Sequence, residues 1–222
     1  MALPRRPHLY RSDPGRVHES ESVRTARRGD AGVESNARLT ASTAVVLVVL
    51  LAVEGVTVLR IHALLTPHVF VGMLLVPPLV VKIGSTTWRF ARYYRGNPAY
   101  RRKGPPPAVL RLLGPFVVAT TVVMFASGIV LLLGPANWHS QLLFVHQASF
   151  VAWLVAMTVH VLGHARETVR LAPLDWVRRS RNGVRGGTTR QTALVASLIV
   201  GIVAGAATIG QISHYLRGAR FR

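Results

Sequence analysis

The chain contains no cysteine, and this absence narrows the chemistry that it can support. Disulfides, thiolate-bound zinc and iron–sulfur clusters on this chain are excluded. Acidic residues are scarce, at 8 against 27 Lys and Arg, which leaves a formal net charge of +19. Lys82 and Lys103 are the only lysines, which we interpret as a genomic preference for arginine. The sequence also lacks a Gly-rich dinucleotide motif and any soluble segment large enough for a flavin or molybdenum cofactor.

Half of the residues are hydrophobic, and they stand in blocks separated by arginines. Blocks of about 20 apolar residues have the length needed to cross ~30 Å of hydrocarbon. The pattern therefore predicts an all-α integral membrane bundle, with Pro77-Pro78 kinking the second helix. The five predicted spans cover residues 40–59, 64–84, 109–133, 142–163 and 192–212. Because basic residues beside spans meet lipid headgroups, the high charge needs no nucleic-acid partner, and we expect none.

The basic residues are distributed unequally between the two sides of the predicted bundle. Residues 1–39 and the two long links hold 21 of them, against 4 in the short loops and the C-terminus. The positive-inside rule then predicts a plasma (inner) membrane protein with its N-terminus in the cytoplasm. Residues 1–39, polar and without apolar periodicity, are expected to be a disordered basic tail. Residues 165–191 are expected to form a basic cytoplasmic loop, and residues 213–222 a short tail.

Histidines inside the spans are the main functional candidates, because ionisable groups in a membrane are costly. His68 and His146 each lie four residues past the start of an outside-to-inside span. Both therefore sit about 6 Å below the outer boundary and could face each other. Two neutral imidazoles on facing helices can hold a haem iron from opposite sides. On the neighbouring spans, Gly55 and Gly128 fall at the same level and would allow close backbone approach.

A second haem position is suggested further along the fourth span. His160 lies 14 residues after His146, which places it on nearly the same helix face about 21 Å away. The opposing position on the second span is Lys82, which is an unusual ligand. Lys82 could instead neutralise a haem propionate or extend to the headgroups. One haem b is expected, with a second as the alternative.

Two segments resemble the membrane-embedded haem b cytochrome superfamily, which includes the cytochrome b subunits of respiratory formate dehydrogenase and hydrogenase. The segments are PHVFVGMLLVPPLVVK (67–82) and HQASFVAWLVAMTVHVLGH (146–164). The resemblance covers residues 40–164 and implies a four-helix haem-binding core, to which residues 192–212 add a fifth helix. It implies that His68, His146 and His160 are iron ligands, whereas Lys82 departs from the pattern.

The leading expectation is a b-type cytochrome subunit that transfers electrons between the quinone pool and a separate extracytoplasmic oxidoreductase subunit. Arg60 and His62, just outside the second span, are candidates to hold haem propionates, and His62 is an alternative ligand to His68. Glu54 would either carry protons near a quinone or pair with Arg60 or His62. The main alternative is a haem-free small transporter or structural subunit with a polar cavity lined by His, Lys and Glu. A third hypothesis is recruitment of cytoplasmic partners through the basic segments.

Overall fold

The apolar blocks form long helices in the computed structural model of the chain, which describes residues 14–105, 107–177, 184 and 186–220. These helices are α1 (Pro14–Leu59), α2 (Ile61–Tyr94), α4 (Ala108–Leu133), α5 (His139–Leu171) and α6 (Gly187–Arg220), with a short α3 (Pro98–Lys103). Two 3₁₀ turns, Ala136–Trp138 and Ala172–Asp175, flank α5. The described residues include no strand, and five helices are long and apolar enough to cross a membrane. The predicted all-α bundle is confirmed.

The helices run further than the predicted spans. α5 continues into the expected loop 165–191, and α6 begins before residue 192 and occupies most of the expected tail 213–222. Of that loop, residues 178–183 and 185 lie outside the described part of the chain. The predicted kink at Pro77-Pro78 is not marked by a break in helical dihedrals. In α2 the departure from helical dihedrals lies at Leu64 (φ −115°, ψ 24°). Leu64 is close to Pro67, and the ring and missing N–H of that proline disturb the preceding turn.

The helices pack as two groups. α2 lies between α1 and α6, while α4 and α5 form an antiparallel pair that joins the first group mainly through α1 and α5. Within the described residues α2 and α5 have at most marginal backbone contact with each other. The two helices that carry His68 and His146 are therefore close enough for their side chains to meet but are not packed together.

Helix α6 packs on α2 through glycines. A Cβ at Gly201 would lie 2.5 Å from the carbonyl oxygen of Leu74, and one at Gly205 would lie 2.8 Å from the ring of Phe70. Only glycine permits such close helix approach, so Gly201 and Gly205 are the positions at which α6 packs most closely against α2. The neighbouring Ala206 and Ala207 are exposed and do not take part.

Large apolar side chains cover the outside of the bundle. Examples with more than half of their surface exposed are Val49, Val56, Phe144, Val155 and Val203. Such an apolar exterior is unfavourable in water and normal against lipid acyl chains. The surface is therefore consistent with the five candidate spans.

The segment before the first span is helical, which contradicts the expected disorder. α1 is continuous over 46 residues, about 69 Å at the rise of an α-helix. The prediction for residues 1–39 is thus wrong over 14–39, while residues 1–13 lie outside the described part. The membrane span already forms a helix, so no new helix nucleus is needed. A polar extension of that helix therefore needs few additional contacts to stay helical.

Those contacts come from small apolar residues, which are hard to recognise in a segment of mostly polar composition. Val33 is buried against Ala99 and Tyr100 of α3, and Ala37 packs near Leu171. They belong to one end of the molecule, formed by the first half of α1, the end of α2 with α3, and the end of α5 with the start of α6. We call it the basic end.

A buried ion-pair network ties the basic end together. Asp175, 2% exposed, receives two hydrogen bonds from the guanidinium of Arg190, which is 6% exposed. Arg38 Nη1 lies 3.5 Å from Asp175 Oδ1, and Arg38 Nε donates to Glu34 at 3.0 Å. Arg190 also donates to Ser35 Oγ at 2.8 Å. One carboxylate thereby joins α1, the turn after α5 and the start of α6.

Candidate functional site

His68 of α2 and His146 of α5 meet toward the end of the bundle opposite the basic end. Their ring centroids are 6.4 Å apart and their planes are nearly perpendicular, at 81°. The rings lie together as their matched depths predict. They meet across the gap between α2 and α5 rather than at a packed helix–helix contact.

The imidazole of His68 is held by α1. Its Nδ1 lies 2.9 Å from Glu54 Oε1 and 3.2 Å from Thr57 Oγ1. The Thr57 hydroxyl also donates to the backbone carbonyl of Glu54 at 2.7 Å and lies 3.2 Å from Glu54 Oε2. A carboxylate accepts a hydrogen bond from Nδ1–H, so this contact fixes the ring orientation and its tautomer. The Glu54 carboxylate thus partners His68, not Arg60 or His62.

The imidazole of His146 is held by α4. Its Nδ1 donates to the carbonyl oxygen of Met124 at 2.8 Å and lies 3.2 Å from Ser127 Oγ. A Cβ at Gly128 would come within 3.0 Å of His146 Cε1. Gly128 therefore gives room to the His146 ring, while the predicted close approach of a haem at this glycine stays a prediction.

Both rings leave the same nitrogen available. With each Nδ1 bonded to a protein oxygen, no hydrogen bond among the described residues engages Nε2 of His68 or His146. Metal-ligating histidines characteristically use one nitrogen for the metal and donate the other N–H to a carboxylate or carbonyl. A metal–imidazole nitrogen bond is about 2 Å long, so rings on opposite sides of one iron have centres about 6 Å apart. The measured spacing fits this arrangement.

The donor atoms at this site come from two histidines. In the part of the chain that the structure describes, no group of three or more His, Cys, Asp or Glu side chains could hold a metal ion. A haem iron needs only two ligands from the protein, because the porphyrin supplies the other four. His68 and His146 are therefore the residues that could hold a haem.

Three predicted contributors are exposed. A Cβ at Gly55 would meet nothing within 4 Å, so no described residue packs closely against this glycine. Arg60 and His62 are exposed at the junction of α1 and α2. His68, and not His62, is the histidine that faces His146.

The side chains at the second candidate haem position, His160 and Lys82, are arranged differently from the His68 and His146 pair. His160 Nδ1 is buried without a hydrogen-bond partner among the described residues, and its ring lies 4.8 Å from that of His164 on the same helix. The opposing Lys82 donates from Nζ to the carbonyl of Thr40 at 3.0 Å. Because Lys82 Nζ is bonded to a backbone carbonyl of α1, the described residues contain no second pair of side chains arranged like His68 and His146.

The residues that orient the two histidines were not identified from the sequence, although their positions near Glu54 and Gly128 could have indicated them. Thr57 lies three residues after Glu54, and Ser127 immediately precedes Gly128, so each neighbours a residue already singled out. Gly72, one turn after His68, was also missed: a Cβ there would lie 3.5 Å from Glu54 Oε1. The depth of a residue in the membrane can be counted along its span. The rotation of each helix about its axis cannot be obtained from the sequence in this way.

The chain matches no protein-family model, no curated protein and no solved structure. The case for a function therefore depends on the geometry of the histidine pair.

Proposed function

We propose that the protein is a membrane-bound b-type cytochrome subunit in which His68 and His146 hold one haem b. The observation that carries the proposal is the pair of imidazoles at 6.4 Å, each with Nδ1 bonded to protein oxygen. A bound haem would take up and release one electron at a time. The protein binds the group, orients both ligands through Glu54 and Met124, and excludes water with an apolar exterior.

The proposed partners follow from the placement of the pair. His68 and His146 lie toward the end of the bundle opposite the basic end, and the uneven arginine distribution favours a cytoplasmic basic end. In a plasma membrane the haem would then lie near the extracytoplasmic surface. We therefore propose electron transfer between quinone in the bilayer and an oxidoreductase subunit on the extracytoplasmic side.

Quinol oxidation by the purified protein tests the electron-transfer role. We expect a short-chain quinol to reduce the haem of the full chain in detergent, observed as growth of the b-type absorption. The protein reconstituted with haem but denatured in SDS serves as the control for direct chemical reduction. A haem that dithionite reduces and the quinol does not would contradict the quinone assignment while leaving haem binding intact.

A single haem is the stoichiometry that the contacts support. His160 remains available at the basic half of the bundle, but Lys82 is bonded to Thr40 rather than presented to it. The buried Nδ1 of His160 is consistent with a polar group or water at that position. We accordingly propose one haem between His68 and His146, and none between His160 and Lys82.

Replacing Glu54 with glutamine is expected to raise the midpoint potential of the haem. A carboxylate that accepts a hydrogen bond from Nδ1–H of a ligating histidine makes the ring more basic and would stabilise the oxidised iron. Glu54→Gln keeps the size and a hydrogen-bonding oxygen but removes the charge. A redox titration followed by absorption measures the shift, with Glu34→Gln at the basic end as the matched charge control. An unchanged potential in Glu54→Gln, with haem still bound, would show that the carboxylate does not act on the iron through His68.

A further inference from the structure

A cavity of about 390 Å³ opens at the basic end, away from the histidine pair. It lies between the first half of α1, the end of α2 and the start of α3. Arg28 from α1 and Arg92 from α2 line it on two sides, and no aspartate or glutamate is among its lining residues. The cavity therefore presents two positive charges to whatever occupies it.

Neither arginine is neutralised by the described part of the protein. No ion pair there engages Arg28 or Arg92. By contrast, Arg38, Arg102 and Arg190 at the same end all have carboxylate partners. The Arg92 guanidinium lies 5.2 Å from the ring centre of Trp88, which also lines the cavity. Stacking on an aromatic face holds a guanidinium in place while leaving its N–H donors for a ligand.

The rest of the lining adds polar groups and keeps the cavity open. Asn97 and Tyr100 belong to the turn that starts α3, where the Asn97 side chain accepts the backbone N–H of Tyr100. Tyr100 is only 7% exposed, and its hydroxyl has no hydrogen-bond partner in the described part of the chain. On the opposite wall, a Cβ at Gly32 would meet nothing within 4 Å. The glycine thus preserves space that a larger side chain would fill.

The depth of the cavity indicates the source of its ligand. Trp88 lies four residues beyond the predicted end of the second span at Gly84, or about 6 Å beyond the hydrocarbon. Tryptophan and arginine characteristically occupy this headgroup level. Guanidinium groups bind the phosphate of such headgroups through parallel N–H donors. We propose that Arg28, Arg92 and Tyr100 bind the phosphate of an anionic phospholipid from the leaflet at the basic end.

Lipid binding by the full-length protein with paired charge variants tests this site. The probe is phosphatidylglycerol in mixed micelles with phosphatidylcholine, with retained lipid quantified by native mass spectrometry. Arg28→Gln with Arg92→Gln is expected to weaken phosphatidylglycerol binding by about tenfold or more, since the two substitutions remove charge-assisted hydrogen bonds to the phosphate. The control, Arg27→Gln with Arg95→Gln, removes the same charge from neighbouring exposed residues outside the cavity and should change binding less than twofold.

A second variant separates filling of the cavity from loss of charge. Gly32→Phe should also reduce phosphatidylglycerol binding severalfold, whereas Gly114→Phe, at an open helical position elsewhere, should not. Helical circular dichroism and gel filtration confirm that each variant is folded. Equal losses in the site pair and the control pair would overturn the site in favour of diffuse electrostatic attraction. Displacement of the lipid by inorganic phosphate at comparable concentration would overturn the lipid assignment in favour of a soluble phosphate ligand.

Discussion

Substituting alanine for His146 should abolish the b-type absorption of the purified protein, and His68→Ala should do the same. Each substitution removes one of the two proposed ligands. It also removes the hydrogen bond that the histidine makes to Met124 of α4 or to Glu54 of α1. A haem with one remaining protein ligand is held weakly and changes spin state. The measurement is the reduced-minus-oxidised spectrum of each variant, expressed with adequate haem supply and normalised to protein.

Two histidines outside the pair serve as controls for that experiment. His62→Ala and His164→Ala should both retain the full absorption, because His62 is exposed beyond the pair and His164 lies beside His160 at the other half of the bundle. His160→Ala should retain it as well, if a single haem is bound. Normal absorption in a folded His146→Ala protein would refute the assignment of His146. A spectrum lost in His62→Ala and kept in His68→Ala would move the ligand to His62.

Replacing Asp175 with asparagine should destabilise the fold by about 3–5 kcal/mol, because it removes the carboxylate that balances the buried guanidinium of Arg190. Asp175 is 2% exposed and meets Arg190 and Arg38, which are both 6% exposed. Asparagine keeps the shape but supplies only one acceptor and no charge. Because Asp175 joins α1, the turn after α5 and the start of α6, we expect loosening of the whole basic end. Thermal unfolding in detergent, followed by circular dichroism, measures the effect.

An exposed ion pair at the same end provides the comparison. Asp30 accepts from Arg102 at 2.7 Å, and both side chains are more than half exposed. Asp30→Asn should therefore change stability by less than about 1 kcal/mol. The combination of Asp175→Asn with Arg190→Gln should recover part of the loss, since it also removes the positive charge that Asp175 balances. Similar melting temperatures for Asp175→Asn and Asp30→Asn would show that the buried network is not stabilising.

The spans and the histidine pair could be predicted because both depend on position along a helix. Block length and charge distribution located five spans, and counting residues from their ends placed His68 and His146 at one depth. The same counting placed Gly55 beside the pair and did not anticipate Glu54 as the partner of His68. Those contacts depend on how each helix is rotated about its axis, which neighbouring helices determine.

The basic end was the least predictable part of the molecule. Residues 14–39 are polar by composition, and their helix is held by small buried residues such as Val33 and Ala37 that make a weak hydrophobic pattern. Asp175 and Arg38 are separated by 137 residues, so no local pattern connects them. The number of arginines indicated a positive charge at the lipid headgroups. Only the fold shows which arginines are paired and which line an open cavity.

The haem content of the full-length protein tests the central claim most directly. The protein is expressed with adequate haem supply, purified in mild detergent, and examined by its reduced-minus-oxidised spectrum and by pyridine haemochrome quantification. We predict a b-type spectrum with one haem per chain. A folded, helical protein that carries no haem would contradict the claim, and would favour the alternative in which the histidines, Lys82 and Glu54 line a polar path for ions or protons.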